Sequence, residues 1–237
     1  MEGITNPDLI VHIGTSGWSY DHWEGVLYPH QLPPRSRLNC YIQHYQTVEV
    51  NSTYYHWPPN TTFANWRERL PQGFLMTVKA PRGLTHSKRL FSPEKWLERM
   101  SEGLQCLGDR LGTLLVQLPP QFGCDLARLA YFLEQVPSWI KVAVEFRHPS
   151  WHTEEVFSLL ERSGAAYCVM SGALPPVSCA QRAHSSMCAS TAPTPTISTA
   201  APTRMMICIG GPIASTSGKA RGEACSSTST TTEGEMQ

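Results

Sequence analysis

Residues 142–151, VAVEFRHPSW, alternate apolar and polar positions with the period of two that marks a β-strand. Val142, Val144 and Phe146 are bulky and suit packing under helices, whereas Ala143, Glu145 and Arg147 grow more polar towards the C-terminal end. A parallel strand has this pattern when one face meets helices and the other lines a barrel whose chemistry sits at the C-terminal mouth. The design recurs upstream and once more downstream. Further strands are predicted at 9–14, 47–51, 74–79, 113–118 and 165–170. Between them, helical spacing predicts helices over 35–45, 61–70, 92–107, 125–135 and 153–162. Their apolar stripes are clear in Trp96, Leu97, Met100, Leu104 and Leu107, and again in Leu126, Leu129, Phe132 and Leu133. Their ends carry recognisable signals: Thr61 or Thr62 as a cap, Ser92-Pro93-Glu94 as cap, first-turn proline and acid, and Gly164 as a C-terminal stop.

Six strand–helix alternations mean a parallel α/β protein with right-handed crossovers. Strand parity then sorts the faces. If Val48 and Val50 meet helices, Glu49 and Asn51 point inward, and the same rule turns His12, Gly14, Thr77, Lys79, Leu115, Gln117, Glu145 and Arg147 inward. A polar interior near the strand ends suits a TIM-like (β/α) barrel better than an open sheet, where both faces would be apolar.

The formal net charge of zero gives no global pull towards nucleic acid or an anionic membrane. No apolar run reaches the roughly 18 residues of a spanning helix, so no membrane partner is expected. The first residues, Met1-Glu2-Gly3-Ile4, lack the basic and apolar regions of a signal peptide. Cys40, Cys106, Cys124 and Cys168 are scattered without CxxC spacing and read as reduced thiols of a cytoplasmic protein, not as a zinc site. No GxGxxG, GxxxxGK[ST] or GxSxG motif is present, so nothing in the chain names a cofactor or a serine nucleophile.

Candidate chemistry gathers at the C-terminal ends of the strands. Glu49 and Glu145 could be a paired acid and base; alternatively each is simply held by an inward cation, Lys79 and Arg147 being the obvious partners. With His12 they could also hold a metal, although no ligand spacing as specific as HExxH supports one. Lys79, Arg82, His86, Lys88, Arg89, Arg147 and His148 form a cationic set suited to a small polar or anionic ligand. Lys88 and Arg89 also fit solvated loop charges. Asn51 and Gln117 are neutral inward groups able to orient a ligand or tie strand ends together. The aromatics Trp18, Tyr20, Trp23, Tyr54, Tyr55 and Trp151 could stack a sugar or base, or could roof the barrel. His22 and His148 are proton carriers by type, with no sequence partner to orient them.

Five segments in order, IGTSGWSYDHWEG, TVEVNSTYY, GF…VKAPRGLTH, QLPPQF and VEFRHPSW, resemble the DUF72 family of YecE-like proteins over roughly residues 10–172. The resemblance implies a TIM-like barrel and no settled reaction, since the family is one of unknown function.

From residue 171 the chain changes character. Of its last 67 residues, 43 are Ser, Thr, Ala, Pro or Gly, and none is Phe, Trp or Tyr. Composition alone predicts a disordered low-complexity tail over 173–237 after an incomplete barrel domain over 1–172, truncated to about six strands. The genetic code adds a sharper reading. Read from the last base of each codon, Met187-Cys188 must give Val, and the neighbours from Ser186 to Pro193 allow Tyr-Val-Arg-Leu-His-Gly-Pro. Met205-Met206-Ile207 forces Asp-Asp, and residues 227–237 allow Tyr-Phe-Asn-Asn-Asp-Gly-Gly-Gly-Asn-Ala. These segments resemble the strands that the family would place here. The expectation is a one-base frameshift near Leu174-Pro175-Pro176, a barrel without its last two strands, and a chain prone to unfold or aggregate.

Three functional readings follow. The first is an enzyme doing hydrolase- or lyase-type acid/base chemistry on a polar or anionic substrate. The second is a non-catalytic nucleic-acid-binding module using the basic loop of residues 82–89. In the third, this particular chain is inactive because its missing strands carried part of the site.

Overall fold

The alternation along each strand decides what the sheet encloses, and the geometry follows it. A computed structural model of the chain describes residues 10–170, 187–190 and 205–210. Six parallel strands, β1 (Ile10–Ser16), β2 (Thr47–Val50), β3 (Leu75–Lys79), β4 (Leu111–Gln117), β5 (Val142–Glu145) and β6 (Ala166–Met170), stand side by side in chain order. Between them run α1 (Pro34–Tyr41), α2 (Ser52–Tyr55), α3 (Asn60–Arg69), α4 (Glu94–Leu107), α5 (Leu126–Gln135) and α6 (Glu154–Arg162). This is the expected α/β fold of TIM-like type. None of its described helices is long and apolar enough to cross a membrane.

The even-numbered positions do what their bulk requires. Val48, Val50, Val78, Leu114, Val116, Val142 and Val144 sit in one buried cluster with Phe63, Leu104, Phe132 and Leu160 of the helices. Each such side chain contributes about 1.5–3 kcal/mol of hydrophobic stabilisation. On the inner face a separate small cluster of Leu115, Ala143 and Cys168 fills the lower ring. Gly14 lets β1 and β2 approach closely, since a Cβ there would overlap the Thr47 carbonyl.

Helix ends follow the expected signals with shifts of a residue or so. Asp125 accepts from the Arg128 amide at 3.0 Å and Thr153 caps α6 through the Val156 amide. Gly164 takes the left-handed conformation (φ 63°) that stops α6. Two caps differ from expectation. α3 begins at Asn60, ahead of both threonines, and Pro93 occupies the cap position of α4. Ser92 is held at φ 47°, outside the extended conformation a capping serine adopts, because the chain turns sharply there.

The six parallel strands are those expected, and two further short segments pair at the edges they leave. β7 (Met187–Ser190) pairs parallel to β6, and β8 (Met205–Gly210) pairs antiparallel to both β7 and β1, closing the ring. An open edge is a row of unpaired N–H and C=O groups, so any extended segment within reach is drawn to it. Residues 205–209, Met-Met-Ile-Cys-Ile, are the most strand-prone run of an otherwise polar tail. The rest of the segment read as a tail, over 173–237, lies outside the described residues.

Closure of the hydrogen-bond ladder leaves part of the outer surface thinly covered. Val11 and Ile13 on the outer face of β1 are 45% and 49% exposed, where a barrel of this type would lay a helix. The double substitution Val11→Thr, Ile13→Thr keeps β-branched side chains and removes the apolar stripe. Size-exclusion chromatography with light scattering should show less self-association in this variant, with its melting temperature within a few degrees of the parent. A large drop in melting temperature would mean that this face is packed.

Candidate functional site

Register sets polar inward positions side by side in two groups. Ser16 of β1 pairs with Glu49 of β2, which pairs with Thr77 of β3; across the ring Gln117 of β4 pairs with Glu145 of β5. Paired residues of parallel strands face the same way, so these side chains share the interior near the C-terminal mouth. Glu49 and Glu145 are both fully buried. Each buried carboxylate costs several kcal/mol in lost hydration unless donors and cations surround it.

They are supplied very differently. Glu145 Oε1 accepts from Gln117 Nε2 at 2.7 Å, from Arg147 Nε at 2.8 Å and from Arg147 Nη2 at 2.7 Å. Glu49 Oε1 accepts from the Ser16 hydroxyl at 3.0 Å and has Lys79 Nζ at 3.9 Å. The Ser16 oxygen in turn accepts from Asn51 Nδ2 at 2.5 Å. Tyr20 closes this corner by donating to the Ser16 carbonyl. Its hydroxyl pKa is raised, first by burial and then by the charge of Glu49. The expected pairing of each carboxylate with its own cation is thus what the geometry shows, Lys79 with Glu49 and Arg147 with Glu145.

A second group sits over the cations. Lys79 Nζ lies 5.4 Å from the Tyr54 ring centre, and His86 meets the same ring edge-on at 5.1 Å. His86 belongs to a five-residue π-helical turn, Gly83–Ser87, a rare local geometry that often marks functional positions. Its Nδ1 lies 2.9 Å from Thr85 Oγ1, while the Thr85 hydroxyl also reaches the Pro81 carbonyl at 3.1 Å. The single Thr85 hydroxyl hydrogen thus has two acceptors within reach, and its choice between them is coupled to the His86 tautomer. The His86 pKa is lowered, mainly by burial, then by the charges of Lys79, Arg82 and Arg147, with Glu145 acting in the opposite direction. Burial raises the Tyr54 pKa against the pull of Arg82 and Arg147.

Ten of the eleven proposed site residues fall at or around this mouth, in varied capacities. Glu49, Asn51, Lys79, Gln117, Glu145 and Arg147 form its floor, with Arg82 and His86 above them. Tyr20 and Trp18 serve as roof, the latter edge-on to Trp66 at 5.9 Å. The remaining one, His148, is occupied in its own turn, its Nδ1 accepting from the Ser150 amide at 3.2 Å. Trp151 belongs to the core: fully buried, it stacks on Phe146 and donates to the Phe122 carbonyl at 2.7 Å. Lys88 and Arg89 are exposed. Among the described residues no group of three His, Cys, Asp or Glu could hold a metal. Sequence reasoning missed Ser16 as the link between Glu49 and Asn51, although the parity that turned His12 and Gly14 inward extends to it. It also missed Thr85, for which a π-helical turn leaves no sequence signal.

Comparison with known proteins gives a consistent picture. A family model described as "Protein of unknown function DUF72" matches residues 12–206. UPF0759 protein YunF of Bacillus subtilis is 27% identical over 172 residues, covering 68% of this chain and 60% of that protein. UPF0759 protein YecE of Escherichia coli is 28% identical over 145 residues, covering 60% of this chain and 50% of that protein. This chain therefore spans only about half to three-fifths of the length of these relatives. The crystal structure of a DUF72 family protein from Thermotoga maritima is similar with a TM-score of 0.59 and 34% identity, over 67% of this chain and 64% of that one. One from Enterococcus faecalis, at 22% identity and a TM-score of 0.56 over 66% of this chain and 59% of that one, shares the fold.

Proposed function

The chain belongs to the DUF72 family, and on that premise we propose that its barrel mouth binds a small anionic ligand for hydrolase- or lyase-type acid/base chemistry. The observation that carries the proposal is that Lys79 and His86 meet on the ring of Tyr54 above two buried carboxylates, with the charges of Arg82 and Arg147 also acting on the His86 imidazole. A fold needs a cation for each buried anion; it does not need a third cation and a histidine beside them. Lys79 and Arg147 act as charge clamps and Asn51 and Gln117 as orienting amides. Glu145, with three donors on one oxygen, is the stabilised anion of the pair. Glu49, with a single neutral donor on Oε1, is the better placed to exchange a proton. The setting is cytoplasmic, in keeping with scattered thiols.

A nucleic-acid-binding role is the second reading, supported by the exposure of Arg82, Lys88 and Arg89 on one loop. It ranks second because a phosphate backbone entering the mouth would meet two buried negative charges.

We also propose that the chain from about Leu174 is read one base out of frame. The support is the forced Val and Asp-Asp of the shifted reading together with the family-like segments it allows. The acid/base chemistry then belongs to the intact reading, and anion binding is what this chain retains. Resequencing the coding DNA across codons 170–180 should reveal one base too many or too few relative to an open barrel reading. A shifted frame interrupted by stop codons would sink the idea.

Sulfate tests the anion site without any knowledge of the reaction. In the protein alone, NMR titration of the His86 ring should give a midpoint below the ordinary histidine value of about 6.5. Because the folded value is the lower one, the folding stability that neutral His86 allows is complete above that ordinary value and is lost as pH falls towards the folded one. Bound sulfate offsets the three cations and should raise the midpoint, and Lys79→Met should reduce that rise. A midpoint unmoved by sulfate would overturn the anion site. Salt-dependent binding of single-stranded DNA that persists in Glu145→Gln would favour the second reading.

A further inference from the structure

Two acceptor atoms at the mouth have no donor among the described residues. Glu49 Oε2 and Asn51 Oδ1 are both buried, and neither has a hydrogen-bond partner among the described residues. They are held in place by the same group. Ser16 gives its only hydroxyl hydrogen to Glu49 Oε1, so its oxygen must accept from Asn51, which fixes the amide with Nδ2 towards Ser16 and Oδ1 away from it. Glu49 belongs to a side chain with no exposed surface, on a strand whose register turns it into the ring. Burying an acceptor without a donor costs about as much as losing a hydrogen bond, and here two acceptors two residues apart bear that cost together. Another buried orphan, His12 Nδ1, lies four residues lower on β1 and stands apart from this pair.

The pair asks for donors, and its surroundings restrict which. Lys79 Nζ, 3.9 Å from Glu49 Oε1, places a positive charge beside the seat and disfavours an ammonium or a metal ion. Neutral hydroxyls meet no such repulsion. We propose that Glu49 Oε2 and Asn51 Oδ1 form a hydroxyl-accepting seat next to the cationic clamp. The ligand is then a small anion bearing at least two hydroxyls, phosphorylated or carboxylated, with its anionic group towards Lys79, Arg82 and Arg147. This rests on the anion-binding reading above and adds to it the other end of the ligand. It also gives Lys79 a double position, between the seat on β2 and the clamp on β3–β5.

Calorimetric titration of the full chain with matched probes separates the two parts. Glycerol 3-phosphate and propyl phosphate differ in two hydroxyls, as do glycerate and propionate. The hydroxylated member of at least one pair should bind about tenfold tighter, the expected gain for hydrogen bonds to a carboxylate and an amide oxygen. The pair showing the larger gain identifies the anionic group. Asn51→Ala should bring the ratio within that pair close to one. Binding within both pairs that ignores the hydroxyls would overturn the seat and leave the anion clamp standing. A preference that survives Asn51→Ala unchanged would also overturn the seat, since the hydroxyls would then bind elsewhere. Failure of all four probes to bind would overturn the anion-binding reading itself, and the seat with it.

Discussion

Placing two carboxylates inside a closed ring of strands is the constraint from which the mouth of this molecule follows. Glu49 and Glu145 have no contact with solvent, so each must be met by donors and by a positive charge, from the neighbouring strand for Glu49 and from two residues further along its own segment for Glu145. The nearest inward positions above them are Lys79 and Arg147, and both are basic. Gln117, on the strand beside Glu145, adds a neutral donor, and Ser16 does the same for Glu49. Once these cations are fixed, they set the electrostatics of whatever lies above. His86 is pushed towards its neutral form and Tyr54 is packed against Lys79. The chemistry open to the site is therefore decided by the way the ring accommodates its own buried charge.

Much of this was legible in the sequence because strands obey a strict period of two. Parity alone placed Glu49, Lys79, Gln117, Glu145 and Arg147 inward, and the apolar partners Val48, Val78, Val116 and Val144 in the outer core. Features without a period were not legible. The π-helical turn that presents His86 arises from tertiary packing around Leu84 and Thr85, both fully buried, and leaves no mark in spacing. His148 looked like a mouth residue, yet its Nδ1 is taken up by the Ser150 amide, a local competition that residue type alone does not reveal. The aromatics after β1 suggested a stacking platform. Trp18 against Trp66, and Trp23 against Tyr41, instead act mainly as cover for the core.

The end of the ring was the least legible part, and for a different reason. Composition after residue 170 argued against further strands, whereas pairing to open edges recruits even short segments. Four residues in β7 and six in β8 suffice to meet the edges of β6 and β1. The antiparallel direction of β8 departs from the all-parallel order of a regular (β/α) barrel. Strand pairing satisfies backbone groups only. Among the described residues no helix covers the outer face of β1, where Val11 and Ile13 are exposed.

The most direct test of the account is a stability comparison of Arg147→Met with the double variant Arg147→Met, Glu145→Gln by denaturant unfolding. Breaking a fully buried pair costs roughly 3–5 kcal/mol; for a guanidinium that is 39% exposed the expected loss is about 2 kcal/mol. Neutralising Glu145 in the double variant should recover more than half of that loss, because the carboxylate left without its cation is what destabilises the single variant. A single variant as stable as the parent, or a double variant no better than the single, would contradict the claim that buried charge organises the mouth.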